Sequence, residues 1–463
     1  MSTDSTLLGA TLAAPSPDLK SKMKRSGLAA CVAVLAIVLG LGVLMPVQAQ
    51  TFTSLYSFKG VPDGESPYGG LVMDSEGSFY GTTVAGGKFS CGSNGCGTVF
   101  KLAGTKESWV YSFQGPPHDG ATPGFINLIT DGKGNFYGTT AYGGNGPCKA
   151  SGQPEGCGTI FKITSAGEET VLYDFQYGPK DGAGPNGTLV IDESGNLYGT
   201  TEGGGNLVSG CNNGEGCGTV FELTSARVER VLYKFCPNPA AKCPDGAVPT
   251  GVLVRDNSGN LYGTTAGGGS HLGGTVFKVI PSSKEEEVFH NFCGNAKCTD
   301  GQGPLGGLAL DEATGILYGT TVTGGTGACG KETTGGGTVF RISTSDKNFD
   351  VLHSFDSSLG DGCNPYGTVT IDKAGNLYGT TLVGGKASPP AGTVWMISGG
   401  NESVLYNFNG AGAHGSTPVD TLIVDAHSNL YGTTIGGGGA SPCTKTIDGV
   451  KVGGCGIVFK LTP

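Results

Sequence analysis

Seven loops of this 463-residue chain carry the same potentially reactive pattern. An aspartate followed by Gly-x-x-Pro occurs at Asp63, Asp119, Asp181, Asp245, Asp300 and Asp361, and the seventh copy reads His414-Gly-Ser-Thr-Pro418. Carboxylates gathered in a ring could hold Ca²⁺ or a cationic ligand through hard oxygen donors. The same residues also make a turn: Asp accepts backbone amides, Gly takes positive φ and Pro starts a strand. Repetition in every copy favours the turn, because a binding site normally breaks symmetry. His414 is the asymmetric member. The seven side chains are the candidate ligand-binding residues; no dedicated cofactor is expected, and Ca²⁺ is the one ion they could take.

Catalytic constellations are otherwise missing from the sequence. The six histidines show no triad spacing: His290 and His353 fall in strand-like segments, His427 in a turn, and His118, His271 and His414 in separate loops. Gly-x-Ser-x-Gly, His-Glu-x-x-His and phosphate-loop patterns do not occur. Runs such as Gly203–Gly205 precede no helix and are not dinucleotide fingerprints. No catalytic residue and no metal site is expected. The cysteines read as disulfides. Cys91/Cys96, Cys148/Cys157, Cys211/Cys217 and Cys443/Cys455 each fall within one loop, as do Cys236/Cys243 and Cys293/Cys298, which leaves Cys329 with Cys363. Zinc-type spacing with partnered histidines is absent. Each short loop closed this way gains roughly 2–3 kcal/mol.

The elements that carry these loops repeat. Tyr-Gly-Thr-Thr occurs at Tyr80, Tyr137, Tyr198, Tyr262, Tyr318, Tyr378 and Tyr431. Four strand-like segments recur around each copy. Segment A runs from a Pro to an Asp (Pro185 to Asp192), and segment B contains the motif (Asn196 to Thr201). Segment C is Gly-Thr-Val-Phe (Gly218 to Phe221), and segment D is Val-Leu-Tyr-x-Phe (Val231 to Phe235). All are rich in Val, Ile, Thr, Tyr and Phe with alternating polarity. Four antiparallel strands repeated seven times predict an all-β, seven-bladed β-propeller. Phe52 to Phe58 is a D segment without its A, B and C, and the last repeat lacks a D. Closure by one N-terminal strand plus three C-terminal strands would remove the open edges. Tyr is expected between blades, with Gly allowing close approach of a neighbouring strand. The rival reading of the paired threonines is a hydroxyl-lined channel.

A–B turns are short and stereotyped, as in Asp192-Glu-Ser-Gly-Asn196, whereas B–C and D–A loops are long and variable. One face is therefore built for turning and the other for diversity, where binding normally resides. Composition agrees: 87 glycines suit many tight turns, and a net charge of −10 lacks the basic patch needed for nucleic acid. Residues 1–49 read as a secretory signal with a polar lead. A basic cluster (Lys20 to Arg25) precedes an apolar run from Gly27 to Met45, and small residues at Val47 and Ala49 mark cleavage near Ala49. An uncleaved membrane anchor is the alternative. Cleavage takes Cys31 with it and leaves an even number of cysteines, as an oxidising compartment favours. Residues 50–463 are then a single domain.

The repeat unit, reading like Gly-Asn-Leu-Tyr-Gly-Thr-Thr followed by Gly-Gly-Gly-Thr-Val-Phe, resembles the bacterial tandem-repeat proteins called choice-of-anchor GloVer-containing proteins. The resemblance covers residues 51–463, with Ser78, Trp395 and Ile457 as mild departures. It implies an exported or surface-attached repeat protein and supplies no active-site residues. The A–B portion also looks like NHL and lactonase-like propeller units, which include binders and enzymes. The expected function is that of an exported, monomeric, non-catalytic scaffold whose disulfide-braced loops bind a glycan, protein or cell-envelope component. The alternatives are a lactonase- or polysaccharide-lyase/hydrolase-like enzyme with a carboxylate or Ca²⁺ site at the channel mouth, and a purely structural surface protein.

Overall fold

The computed structural model describes residues 50–462 apart from 93, 125–126, 150–152, 209, 212–213, 239–241, 331–334, 411, 420, 440–442 and 448–449. The N-terminal segment 1–49, with its cleavage site and Cys31, lies outside the described residues. From Gln50 to Pro463 the chain forms one compact unit. No helix among the described residues is long and apolar enough to cross a membrane.

Seven antiparallel sheets make a seven-bladed β-propeller. Blade 3 shows the pattern, with strands Val190–Ile191, Leu197–Thr201, Thr219–Leu223 and Glu229–Lys234 hydrogen-bonded in sequence order. Letters A to D denote these four positions in any blade. Blade 7 is built from both ends of the unit. Its A, B and C strands are Ile423–Val424, Leu430–Thr434 and Ile457–Thr462, and its D strand is Thr51–Ser57. Thr51 pairs with Thr462 and Ser57 with Ile457, so the ring closes by one strand plus three.

Strand D departs from simple alternation. In blade 3, Phe221 pairs with Val231 but Val220 pairs with Tyr233, leaving Leu232 as a bulge residue. The same shift occurs in all seven C–D pairs. A bulge re-aims the side chains beyond it and adds twist. Here those side chains are the Tyr (or His) and Phe that meet the next blade.

The seams between blades are aromatic. The last Phe of each D strand meets the strand-C aromatic of the next blade, from Phe58–Phe100 through Phe235–Phe277 to Phe408–Phe459, with ring centroids 5.0–5.7 Å apart. Most are edge-to-face pairs, which add about 1 kcal/mol beyond their buried area. Gly in Tyr-Gly-Thr-Thr makes room for the strand-C ring: a Cβ on Gly199 would lie 2.6 Å from the ring of Phe221. The tyrosine packs across the seam, as where Tyr80 stacks on Phe136 at 4.1 Å. Its hydroxyl also caps the A–B turn; Tyr198 donates to Asp192 Oδ2 at 3.1 Å. In several blades the first threonine of the motif donates to a strand-A carbonyl of the next blade, as Thr264 to Gly306 and Thr433 to Pro67. In blades 1 to 6 the second shares a hydrogen bond with the strand-C threonine, as in Thr201–Thr219 at 2.8 Å; blade 7 has Ile457 there. Seven sets of contacts thus stitch the ring.

Candidate ligand site at the channel mouth

Strand A leaves the loop face and strand B returns to it, so the start of A and the end of B meet at one mouth of the central channel. The junction is held by the residue before each proline. Ser66, Thr122, Gly184, Val248, Gly303, Asn364 and Thr417 all have φ between 55° and 64°. The motif glycine itself takes positive φ only at Gly246, Gly301 and Gly362. In the left-handed conformation each pre-proline N–H donates to the loop before the preceding blade's strand C, as Gly184 to Cys157 O and Val248 to Cys217 O, both 2.9 Å. In most blades its carbonyl accepts from the residue after Tyr-Gly-Thr-Thr, as Glu202 N to Gly184 O at 3.1 Å. This bond fixes residue 202 beside residue 186 in blade 3.

All seven disulfides pair as the sequence pattern indicates: Cys91–Cys96, Cys148–Cys157, Cys211–Cys217, Cys236–Cys243, Cys293–Cys298, Cys329–Cys363 and Cys443–Cys455. Cys96, Cys157, Cys217 and Cys455 carry the carbonyls that accept the pre-proline N–H bonds. The bridges therefore brace the loops where blades join, immediately outside the channel mouth.

The Asp-Gly-x-x-Pro aspartates are engaged within their own loops. Asp119 accepts Tyr111 Oη at 2.9 Å, Gln114 N at 2.7 Å and Gly120 N at 2.6 Å. Asp181 repeats the arrangement with Tyr173, Gln176 N and Gly182 N. Asp63 accepts Tyr56 Oη and Lys59 N, and Asp245 accepts Tyr233 Oη and Cys236 N. Asp300 and Asp361 pair with His290 Nε2 and His353 Nε2 at 3.1 and 2.8 Å. His414 Nδ1 lies 2.6 Å from Tyr406 Oη. The mouth itself is lined by other residues.

A set of carboxyls that the sequence reading did not single out faces these aspartates across the seams. Glu107, Glu169, Glu229, Glu286 and Glu402 occupy one position of strand D, and each has a buried Oε1 with no hydrogen-bond partner. Burial, with the adjoining aspartate's charge, pushes the first three and Glu402 up to about 7 and Glu286 up to about 8. Burial likewise raises Asp119, Asp181 and Asp245 against their hydrogen bonds. His353, Asp361 and Glu402 come together within 4.8 Å. The other two seams carry Phe52 and Phe349 at that position, stacked on Tyr406 at 4.3 Å and on His290 at 3.8 Å.

At the channel mouth lies a cavity of about 250 Å³. Its polar side comes from blades 3 and 4: Asn186, Glu202 and Thr250. The opposite arc, from blades 5, 6, 7 and 1, presents Leu305, Tyr366, Val419 and Tyr68, with the further polar side chains Thr368 and Thr421 on it and Asn127 from blade 2. Gly251, Gly306 and Gly367 form part of the lining, where the strands approach closely; a Cβ on Gly251 would be 2.8 Å from Gly306 O. Asn186 Nδ2 donates to Glu202 Oε1 at 2.7 Å. Asn186 Oδ1 and Thr250 Oγ1 are buried without a partner. Burial raises the Glu202 pKa, the charge of Glu215 adds to the rise, and the Asn186 bond opposes it. Glu202 is the signal that reading the sequence missed. The residue after Tyr-Gly-Thr-Thr is Val84, Ala141, Ala266, Val322, Leu382 or Ile435 in the other copies, and only the third has an acid.

No curated protein matches the chain. Among solved structures it is similar to the extracellular domain of a protein assigned as a one component system from B. thetaiotaomicron, at 9% identity and a TM-score of 0.50, covering 90% of this chain and 40% of that one. A gluconolactonase from Xanthomonas campestris matches at 12% identity and a TM-score of 0.36, covering 66% of this chain and 78% of the other. A protein assigned as a 6-phosphogluconolactonase from Bacteroides fragilis matches at 14% identity and a TM-score of 0.44, covering 85% and 97%. The first likeness is one of fold alone, and the chain spans 40% of that relative's length. The other two superpose too loosely to carry an argument. The model of the Gloeobacter/Verrucomicrobia repeat matches residues 148–332 and 328–463, more than half of the sequence. The chain belongs to the Gloeobacter/Verrucomicrobia repeat family.

Proposed function

We propose that this protein is an exported, non-catalytic binding propeller that holds a small ligand or the tip of a larger one in the cavity at the channel mouth. The observation that carries the reading is the break in symmetry at Glu202. Six blades place an aliphatic residue at that position, and the one acid sits beside two buried polar atoms without partners. A ligand supplying hydrogen-bond donors pairs with them, each such bond contributing about 1 kcal/mol. Export is supported by seven disulfides, which persist in oxidising compartments. A binding role is favoured over catalysis because Glu202 is the only titrating carboxyl or imidazole among the described residues lining the cavity. General acid–base chemistry on a glycoside or lactone ordinarily requires a second such group or a metal.

A thermal-shift panel of sugars, organic acids and amines on residues 50–463 tests the reading. At least one class should raise the melting temperature of the wild type and not that of Leu305→Trp, which fills the cavity. A panel with no stabilising compound, or stabilisation that survives the filled cavity, overturns it.

A further inference from the structure

We infer that the channel-mouth cavity takes a small organic ammonium ligand, with Glu202 as the counter-charge and the tyrosine-bearing arc as the seat for its apolar body. The inference rests on the binding role proposed above and specifies its ligand.

Three features of the cavity point the same way. First, its unpartnered polar atoms are acceptors, Asn186 Oδ1 and Thr250 Oγ1, the latter also able to donate, and they stand beside the Glu202 carboxyl, which accepts one bond from Asn186 Nδ2. A –NH₃⁺ group offers three donors and no acceptor, so it satisfies such a cluster where a carboxylate or phosphate would be repelled. Second, no lysine or arginine is among the described residues lining the cavity. Glu202 has only the Asn186 amide bonded to it, and the nearest charge acting on it is a like one, Glu215. Burial already holds its carboxyl above the ordinary range, and an ammonium ion alongside would draw it back to the ionised form. Third, the polar atoms without partners lie on the arc of blades 3 and 4, whereas Asn127 Oδ1 and Thr368 Oγ1 elsewhere in the lining already accept from Gly70 N and Gly307 N. Leu305, Tyr366, Val419 and Tyr68 add apolar and aromatic surface there, so the site suits a ligand with its donors at one end. Aromatic walls also favour a cation through their ring faces.

Size narrows the class. A cavity of about 250 Å³ suits a small organic ligand and not an extended polymer chain. Free polysaccharide and folded protein are excluded from the interior, although an amine-bearing terminus of either could enter.

The test is calorimetric titration of residues 50–463 near neutral pH with phenethylammonium and its neutral isostere 2-phenylethanol. Phenethylammonium should bind about tenfold or more tightly than the alcohol, a preference of ~1.4 kcal/mol or greater. Glu202→Gln keeps the shape and the Asn186 contact. It should abolish the preference while leaving alcohol affinity within about twofold. Thr250→Val, which removes an unpartnered hydroxyl without touching the charge, should weaken both probes together and serves if the Gln variant folds poorly. Equal binding of the two probes, or a preference that survives Glu202→Gln, overturns the ammonium inference alone. Failure of both probes while a neutral panel compound stabilises the protein also overturns it alone. Failure of both probes with a silent panel overturns the binding role as well.

Discussion

Raising the pH from about 5 to about 8 should destabilise the ring through its five carboxyl seams. Glu107, Glu169, Glu229 and Glu402 sit near 7 and Glu286 near 8, against an ordinary glutamate value of about 4.3. Their folded-state pKa is raised, so the folded ring binds more protons than the unfolded chain between those limits. Their contribution is complete below about pH 4 and is lost as pH climbs through 7 to 8. The rise corresponds to roughly 3.5 kcal/mol for each of the four near 7 and about 5 kcal/mol for Glu286, at 1.36 kcal/mol per pH unit. Solvent reaches these partly buried groups and screens them, which leaves about 1 kcal/mol per seam. The opposite sign applies to the A–B turn aspartates. Asp74, Asp131, Asp192, Asp256, Asp372 and Asp425 are held below the usual range because hydrogen bonds to the turn outweigh their burial. Their stabilisation is present above about pH 4 and disappears as pH falls through the lowered values. The two sets together place maximal stability near pH 4–5. Urea unfolding followed by the fluorescence of buried Trp395 should show the midpoint falling steadily from about pH 5 to 8. Replacing all five glutamates by glutamine should flatten that slope. A midpoint constant over the range, or an unchanged slope in the glutamine variant, refutes the reasoning.

Deleting residues 50–59 should destabilise the whole ring, since it removes the D strand of blade 7 and the buried Phe58; loss of that ring alone costs roughly 3–5 kcal/mol. A truncated protein with the wild-type urea midpoint would contradict this. Chelating Ca²⁺ should leave the melting temperature unchanged, because N–H and O–H donors already occupy the Asp-Gly-x-x-Pro carboxylates. A drop of several degrees would restore the carboxylate ring as a metal site. Non-reduced mass spectrometry of the exported protein should find no free thiol, and partial reduction should lower stability by roughly 2–3 kcal/mol for each bridge opened. Several free thiols would refute the disulfide assignment.

The blades were legible because each carries the same local signals, and one example could be checked against six others. Phe52–Phe58 had only one blade to complete, and that argument needed no side-chain geometry. The bulge at Leu232 was hidden because a one-residue insertion leaves the apolar content of Val-Leu-Tyr-x-Phe unchanged while re-aiming the tyrosine and phenylalanine beyond it. Placing positive φ on the motif glycine rests on glycine's usual preference. The structure keeps positive φ there only at Gly246, Gly301 and Gly362 and bends the residue before proline in every copy, since that residue's N–H ties down the neighbouring loop. The candidate site was sought in the repeating pattern, whereas Glu202 is legible only as the exception at an aliphatic position. The seam glutamates lie about 40–50 residues from the aspartates they face, a proximity that comes from ring geometry and not from spacing along the chain.

Ring closure also sets how the molecule would carry load. Thr51 lies opposite Thr462, so the first and last strands of the ring begin and end side by side in blade 7. Strand D begins on the short-turn face, away from the mouth that holds Glu202. The cavity, like a cup, therefore opens away from the face on which strand D begins. Tension between the two ends would peel the first strand from the last one hydrogen bond at a time, because they are antiparallel and pulled from the same side. Tension between the amino end and a ligand in the cup would instead run through the body of the ring, where seven aromatic seams share the strain.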